Sequence, residues 1–183
     1  MPNFDWDDNE APLAYLITIR TYGTWLHGDE RSSVDLRGQN VYNTPRVKPI
    51  KKLNRIMERN LSDEPFILDA PGRGLIEAAI KEVCSYRLYR LFAINVRTNH
   101  AHAVVGGPVR PERMATEFKS YSTRRLRSGG VIGADRPVWS RGESSRYLWK
   151  ERHVELAVNY VLYGQGDDLP KFQIKSDGRP GTR

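Results

Sequence analysis

Cysteine is almost absent: Cys84 stands alone in 183 residues, which excludes an internal disulfide and any zinc site built from several thiolates. No run approaches the roughly 20 consecutive apolar residues that a spanning helix needs. The opening Met1-Pro2-Asn3-Phe4-Asp5-Trp6-Asp7-Asp8 lacks the basic-then-apolar order of a signal peptide. Repeats and low-complexity tracts are missing. Acid is in deficit, with 22 Asp and Glu against 29 Lys and Arg, a formal charge of +7. These absences lead us to expect a soluble, cytoplasmic chain with no membrane partner, and 39% apolar residues are enough to build a core.

The charge is unevenly spread. Asp5, Asp7, Asp8 and Glu10 fall in the first ten residues, which hold no Lys or Arg, so the remainder has 29 basic and 22 − 4 = 18 acidic residues, a net +11. An isoelectric point near 9.6 passes the threshold of about 9 used for nucleic-acid-binding domains. Such a charge favours polyanions through counterion release without saying which one. We expect an acidic, flexible leader over 1–12, one domain over 13–169 and a flexible polar tail over 170–183.

Leu13 to Thr21 is β-branched and aromatic enough for a strand. From Gly23 to Pro49 the chain is rich in turn formers and reads as an irregular insertion that could contact DNA as a loop. Ile50, Leu53, Met57 and Leu61 recur at helical spacing, with Lys51, Lys52, Arg55 and Arg59 elsewhere around that short basic helix. Gly72 to Tyr89 is the clearest helix, striped by Leu75, Ile76, Ala79, Ile80, Val83 and Tyr86. Leu91–Val96 and His100–Val105 read as a hairpin around Arg97-Thr98-Asn99. Pro111-Glu112 opens a second helix that Gly129-Gly130 ends. Val138–Ser140 and Arg146–Trp149 are expected to pair as a ribbon, and a last helix runs from Glu151 to Tyr163. The order predicts an α+β fold, a ferredoxin-like split βαβ antiparallel sheet with helices on one face and an added C-terminal helix.

His100-Ala101-His102 is the most informative tripeptide. Strand side chains alternate, so both imidazoles point to one side, close enough to ligate one metal. The alternative is a half-exposed strand with two polar residues on its wet side. His27 and His153 lack such pairing. On the last helix Leu156, Tyr160 and Tyr163 share one stripe, and Val154, Val158 and Val161 another. Both tyrosines read as amphipathic packing residues or, more sharply, one of them as a nucleophile. A phenol with its ordinary pKa near 10 needs a metal-polarised electrophile to attack at neutral pH. Gln165 is the candidate third ligand, because a helix stopped at Gly164 lets it turn back; the alternative is a solvated loop amide.

Arg110, Arg113, Lys119, Arg124, Arg125 and Arg127 make the second helix and its ends basic, suited to phosphates or simply a solvated face. Trp139, Tyr147 and Trp149 lie near Arg141 and Arg146, a mixture that suits base stacking; Trp139 and Trp149 are equally good as core anchors.

His-Ala-His on a strand, Tyr160 on a late helix and Gln165 just beyond it resemble the HUH single-strand DNA nucleases, within them the single-tyrosine transposase superfamily and its REP-associated tyrosine transposase branch (transposase IS200-like). The segments Tyr15–Arg20, Val96–Val105, Arg146–Trp149 and Tyr160–Leu162 support the likeness, which spans Leu13 to Gln165. It implies a catalytic domain over 13–169 in which His100, His102 and Gln165 hold Mg²⁺ or Mn²⁺. It also implies a tyrosine nucleophile, Tyr160 or alternatively Tyr163, forming a 5′-phosphotyrosine intermediate in single-stranded DNA beside a hairpin of imperfect palindrome. A transposition or recombination role, a nucleoid-associated location and a monomer or homodimer follow from the same resemblance. Two departures accompany it: Gly164 occupies the place one turn after Tyr160 where the amide is usual, and Tyr163 is a second phenol near the helix end. The competing readings are a non-catalytic ferredoxin-like nucleic-acid binder and a hydrolytic metallonuclease using water.

Overall fold

A computed structural model of the chain describes residues 11–25 and 56–166. Most of the expected leader, the tail, residues 26–49 of the insertion, His27, Lys51, Lys52 and Arg55 lie outside the described residues. The elements are β1 (Ala14–Arg20), α1 (Ala70–Arg87), β2 (Arg90–Val96), β3 (His100–Gly106), α2 (Pro111–Ser128), β4 (Ser144–Leu148) and α3 (Glu151–Tyr163). The sheet order is β2-β3-β1-β4 and every neighbouring pair is antiparallel. This is the ferredoxin-like split βαβ arrangement that the order of elements predicts. Among the described residues no helix is long and apolar enough to cross a membrane.

Each helix starts and stops for local reasons. Asp69 caps α1, its Oδ1 accepting the Gly72 N–H at 2.7 Å, and Pro71 fills an early position where a missing N–H costs nothing. That cap starts the helix two residues earlier than the apolar stripe suggests. Pro111 opens α2 in the same way, and Glu112 places an acid in its first turn.

Strand alternation divides the sheet into two faces. Tyr15, Ile17 and Ile19 of β1 with Ala101, Ala103 and Val105 of β3 meet Ile76, Ile80 and Val83 of α1 and Met114, Phe118 and Leu126 of α2 in the main core. Cys84 is packed there, and burial pushes its thiol up to about 12. The opposite face carries Ala14, Leu16, Ala93, Val104 and Leu148, covered by Val154, Ala157 and Val161 of α3. Among the described residues, α3 is the one helix on this side of the sheet, across from α1 and α2.

The expected ribbon between 138–140 and 146–149 does not form. Both segments pair with β1 instead. Trp139 bridges Thr21, Tyr22 donates to the Val138 carbonyl at 2.8 Å and Ser140 to that of Arg20 at 3.0 Å. Further along, Ser144 to Leu148 pair with Thr18 to Ala14. The segment is one edge strand interrupted by a bulge: five steps from Trp139 to Ser144 oppose three from Thr21 to Thr18. Gly142, at φ 70°, takes the left-handed turn inside it.

Candidate active site

The site lies on the α3 side of the sheet, where β3 begins and α3 ends. His100 and His102 stand on one face of β3 with ring centroids 4.5 Å apart. Thr18 is the register partner of His102 and Arg20 that of His100. Thr18 Oγ1 lies 2.8 Å from His102 Nδ1. His100 Nδ1 donates to Asn99 Oδ1 at 2.7 Å. The Asn99 amide oxygen sets the His100 tautomer with Nε2 unprotonated, while the Thr18 hydroxyl, which can donate or accept, orients the His102 ring.

His102 is only 7% exposed. Its pKa falls to about 3, first through burial, then through His100 and Arg20, with the Gln165 amide opposing the shift as an acceptor for the charged ring. The ring is thus neutral at physiological pH, the form a metal requires.

Tyr160 comes to this ring from α3: the His102 and Tyr160 centroids are 5.6 Å apart, and Tyr160 is 47% exposed. Asn95 explains the position of the helix end. It sits opposite His102 on β2 and donates its Nδ2 to the Val161 carbonyl at 2.9 Å. That carbonyl lies in the last turn of α3, where intrahelical donors run out. The Tyr160 carbonyl is satisfied by the Gly164 N–H at 2.9 Å and Gln165 Nε2 at 3.1 Å. Gln165 thus turns back from the helix end, and its side chain comes within reach of the His102 ring, where it favours the charged form. Tyr163 is 78% exposed, while the ring set against His102 is that of Tyr160.

Among the described residues no three His, Cys, Asp or Glu gather as a metal-binding cluster. Any third donor that the described residues could add to the histidine pair would be of another type, and the Gln165 amide lies beside the His102 ring. Two neutral imidazoles and an amide oxygen are borderline donors that fit Mn²⁺ better than the harder Mg²⁺.

The other singled-out residues are spread more widely. Lys119 donates to the carbonyls of Ser140, at 3.1 Å, and Gly142, and burial lowers its pKa. Trp139 packs against the main core with its indole N–H shared between the Lys119 carbonyl and Thr123 Oγ1, each at 3.1 Å. Arg125 pairs with Glu82, Arg113 with Glu117 at 3.4 Å, and Arg124 lies over Tyr121 at 4.7 Å. Arg110, Arg141 and Arg146 are exposed. Trp149 stacks on Tyr147 at 6.1 Å, with both rings partly open to solvent. Lys119, Ser120, Thr123, Arg124 and Arg127 line an open basic groove on α2. Sequence reasoning missed Thr18, Asn95 and Arg20 at the site, since strand register is what brings them there.

No family model and no curated protein matches the chain. It is similar to the solved structure of a REP-associated tyrosine transposase bound to a REP hairpin, at 12% identity and a TM-score of 0.44, over 82% of this chain and 66% of that one. This chain thus spans slightly less than two thirds of that structure. A crystal structure from Deinococcus radiodurans R1, described as a "putative transposase", is similar at 11% identity and a TM-score of 0.45, over 80% of this chain and 87% of that one.

Proposed function

We propose that the chain is a metal-dependent endonuclease and strand transferase for single-stranded DNA, transposase-like, with Tyr160 as its nucleophile. The observation that supports this most is the meeting of Tyr160, His102 and Gln165 where the end of α3 crosses the start of β3, with Tyr160 open to solvent. The His-Ala-His, Tyr160 and Gln165 motif, with its resemblance to the HUH nucleases, points the same way.

His100, His102 and Gln165 would hold Mn²⁺ or Mg²⁺. Bound there, the ion would polarise the scissile phosphate and neutralise charge developing on its oxygens. The chain's own groups supply the rest. Asn99 holds the His100 imidazole in one tautomer, and Thr18 orients that of His102. Asn95 fixes the last turn of α3, so Tyr160 meets the phosphate without a further search through conformations. Tyr160 Oη attacks phosphorus, the bond from phosphorus to the 3′-oxygen breaks, and the departing oxygen takes up a proton as a 3′-hydroxyl. The phenol proton passes to solvent, to which Tyr160 is open. The 5′-phosphotyrosine retains the energy of the phosphodiester, so attack by a 3′-hydroxyl reverses the step and joins strands.

The substrate that fits is single-stranded DNA flanking a hairpin, with phosphate contacts from the basic groove on α2. Incubating the protein with a labelled hairpin oligonucleotide and Mn²⁺ tests the proposal. A covalent protein–DNA band, lost with chelator and in Tyr160→Phe, supports it. Cleavage without an adduct makes the protein a hydrolytic metallonuclease, binding with neither makes it a non-catalytic binder, and loss only in Tyr163→Phe moves the nucleophile.

A further inference from the structure

Arg20 is the last residue of β1 and lies opposite His100 in the β1–β3 register. Directly opposed residues on one face of an antiparallel pair have Cβ atoms about 4.5–5.5 Å apart. The Arg20 side chain therefore rises from the sheet as the immediate neighbour of the histidine pair. It lowers the proton affinity of His102.

The residue is held from several sides. Its carbonyl accepts the Ser140 N–H at 3.0 Å. The turn that follows is tied down by Thr21 Oγ1 on the Asn99 carbonyl at 3.1 Å and by Thr24 Oγ1 on the Thr21 carbonyl at 3.0 Å. That turn folds Trp25 back so that the Arg20 guanidinium lies 4.3 Å from the centre of its indole ring. Stacking on a ring fixes the plane of a guanidinium, which a flexible surface arginine lacks.

A fixed cation beside two imidazoles works against binding a metal ion there. The same cation is useful once an anion enters, because planar guanidinium donors match two oxygens of a phosphate. We propose that Arg20, held on Trp25, is a positioning residue that grips a non-bridging oxygen of the scissile phosphodiester beside Tyr160. This rests on the strand-transfer reading and names the group that orients its substrate.

The test is a binding cycle on the full chain carrying Tyr160→Phe, which keeps the complex non-covalent. A neutral methylphosphonate is walked one linkage at a time along the single-stranded flank of the hairpin. At the linkage that wild-type protein cleaves, Arg20→Ala and the methylphosphonate should each weaken binding about tenfold, the loss expected for one charge-assisted hydrogen bond. Together they should still cost about tenfold, since each removes half of one contact. Arg20→Lys should retain part of the affinity for the phosphate and none of the discrimination that a planar fork provides. Independent losses that multiply to about a hundredfold, or no loss in Arg20→Ala, overturn the assignment. Absence of any adduct with the wild-type protein overturns the strand-transfer reading instead, a result separate from the binding cycle.

Discussion

Replacing Gly164 with alanine places one carbon where the tyrosine is seated. The backbone there, φ −91° and ψ 13°, suits any L residue, so the effect is steric and not torsional. A β-carbon at this position would lie 2.9 Å from Tyr160 Cδ2, 2.9 Å from the Tyr160 carbonyl oxygen and 3.2 Å from its Cα. Ordinary contact begins near 3.4 Å, so the chain must yield by about half an ångström in a direction set by Tyr160 itself. The helix end is exposed and can move, so we expect less than about 1 kcal/mol of lost stability. The displaced groups are the Tyr160 ring and the turn carrying Gln165, and a misplacement approaching 1 Å can cost about 100-fold in rate. Adduct formation under single-turnover conditions should therefore slow by about 10- to 100-fold, while the melting temperature falls by no more than about 4 °C. Wild-type adduct kinetics in Gly164→Ala, with the variant folded, would refute the claim that this glycine seats Tyr160 for the proposed attack.

Three further outcomes follow from the same geometry. Asn95→Ala strips the Val161 carbonyl of its donor and should cost about 0.5–1.5 kcal/mol, with a proportionally larger loss of adduct rate; an unchanged rate would show that α3 needs no such tie. The folded-state pKa of His102, about 3, lies below the usual 6.5 of an unfolded histidine. The unfolded chain therefore binds the extra proton, and the stability of the metal-free protein is full above pH 6.5 and declines as pH falls toward 3. Denaturant titrations across that window should show the decline, and His102→Gln should flatten it. Gly74 in α1 has open space around a β-carbon, so Gly74→Ala should raise stability by about 0.5–1 kcal/mol in a thermal melt.

The histidine pair was legible because a strand's period of two is independent of its partners: once 100–105 reads as extended, His100 and His102 share a face. The end of α3 was legible too, since Gly164 is a local stop. Register was not. Nothing near Arg20 in the chain says that His100 will lie across from it, and the pairing spans 80 residues. The misassigned ribbon has the same origin. Segments 138–140 and 144–148 are close in sequence, yet the open edge of β1, more than a hundred residues earlier, offered both of them a ladder. Trp139 shows a third limit: the acceptors that hold its indole N–H, the Lys119 carbonyl and Thr123 Oγ1, belong to a helix about twenty residues before it. Exposure of an aromatic side chain is a tertiary property.

The two sides of the sheet are unequally furnished. Large side chains such as Phe118, Met114, Ile76 and Leu126 fill the side under α1 and α2, whereas α3 rests on two alanines, Val104, two leucines and the partly buried Phe92. A helix seated on this smaller apolar cluster has a low undocking free energy compared with the sheet and the two helices on its other side. Warming should therefore silence the proposed strand transfer before the sheet, α1 and α2 melt, and cooling should bring it back, because the surface on which the helix re-seats has stayed intact throughout.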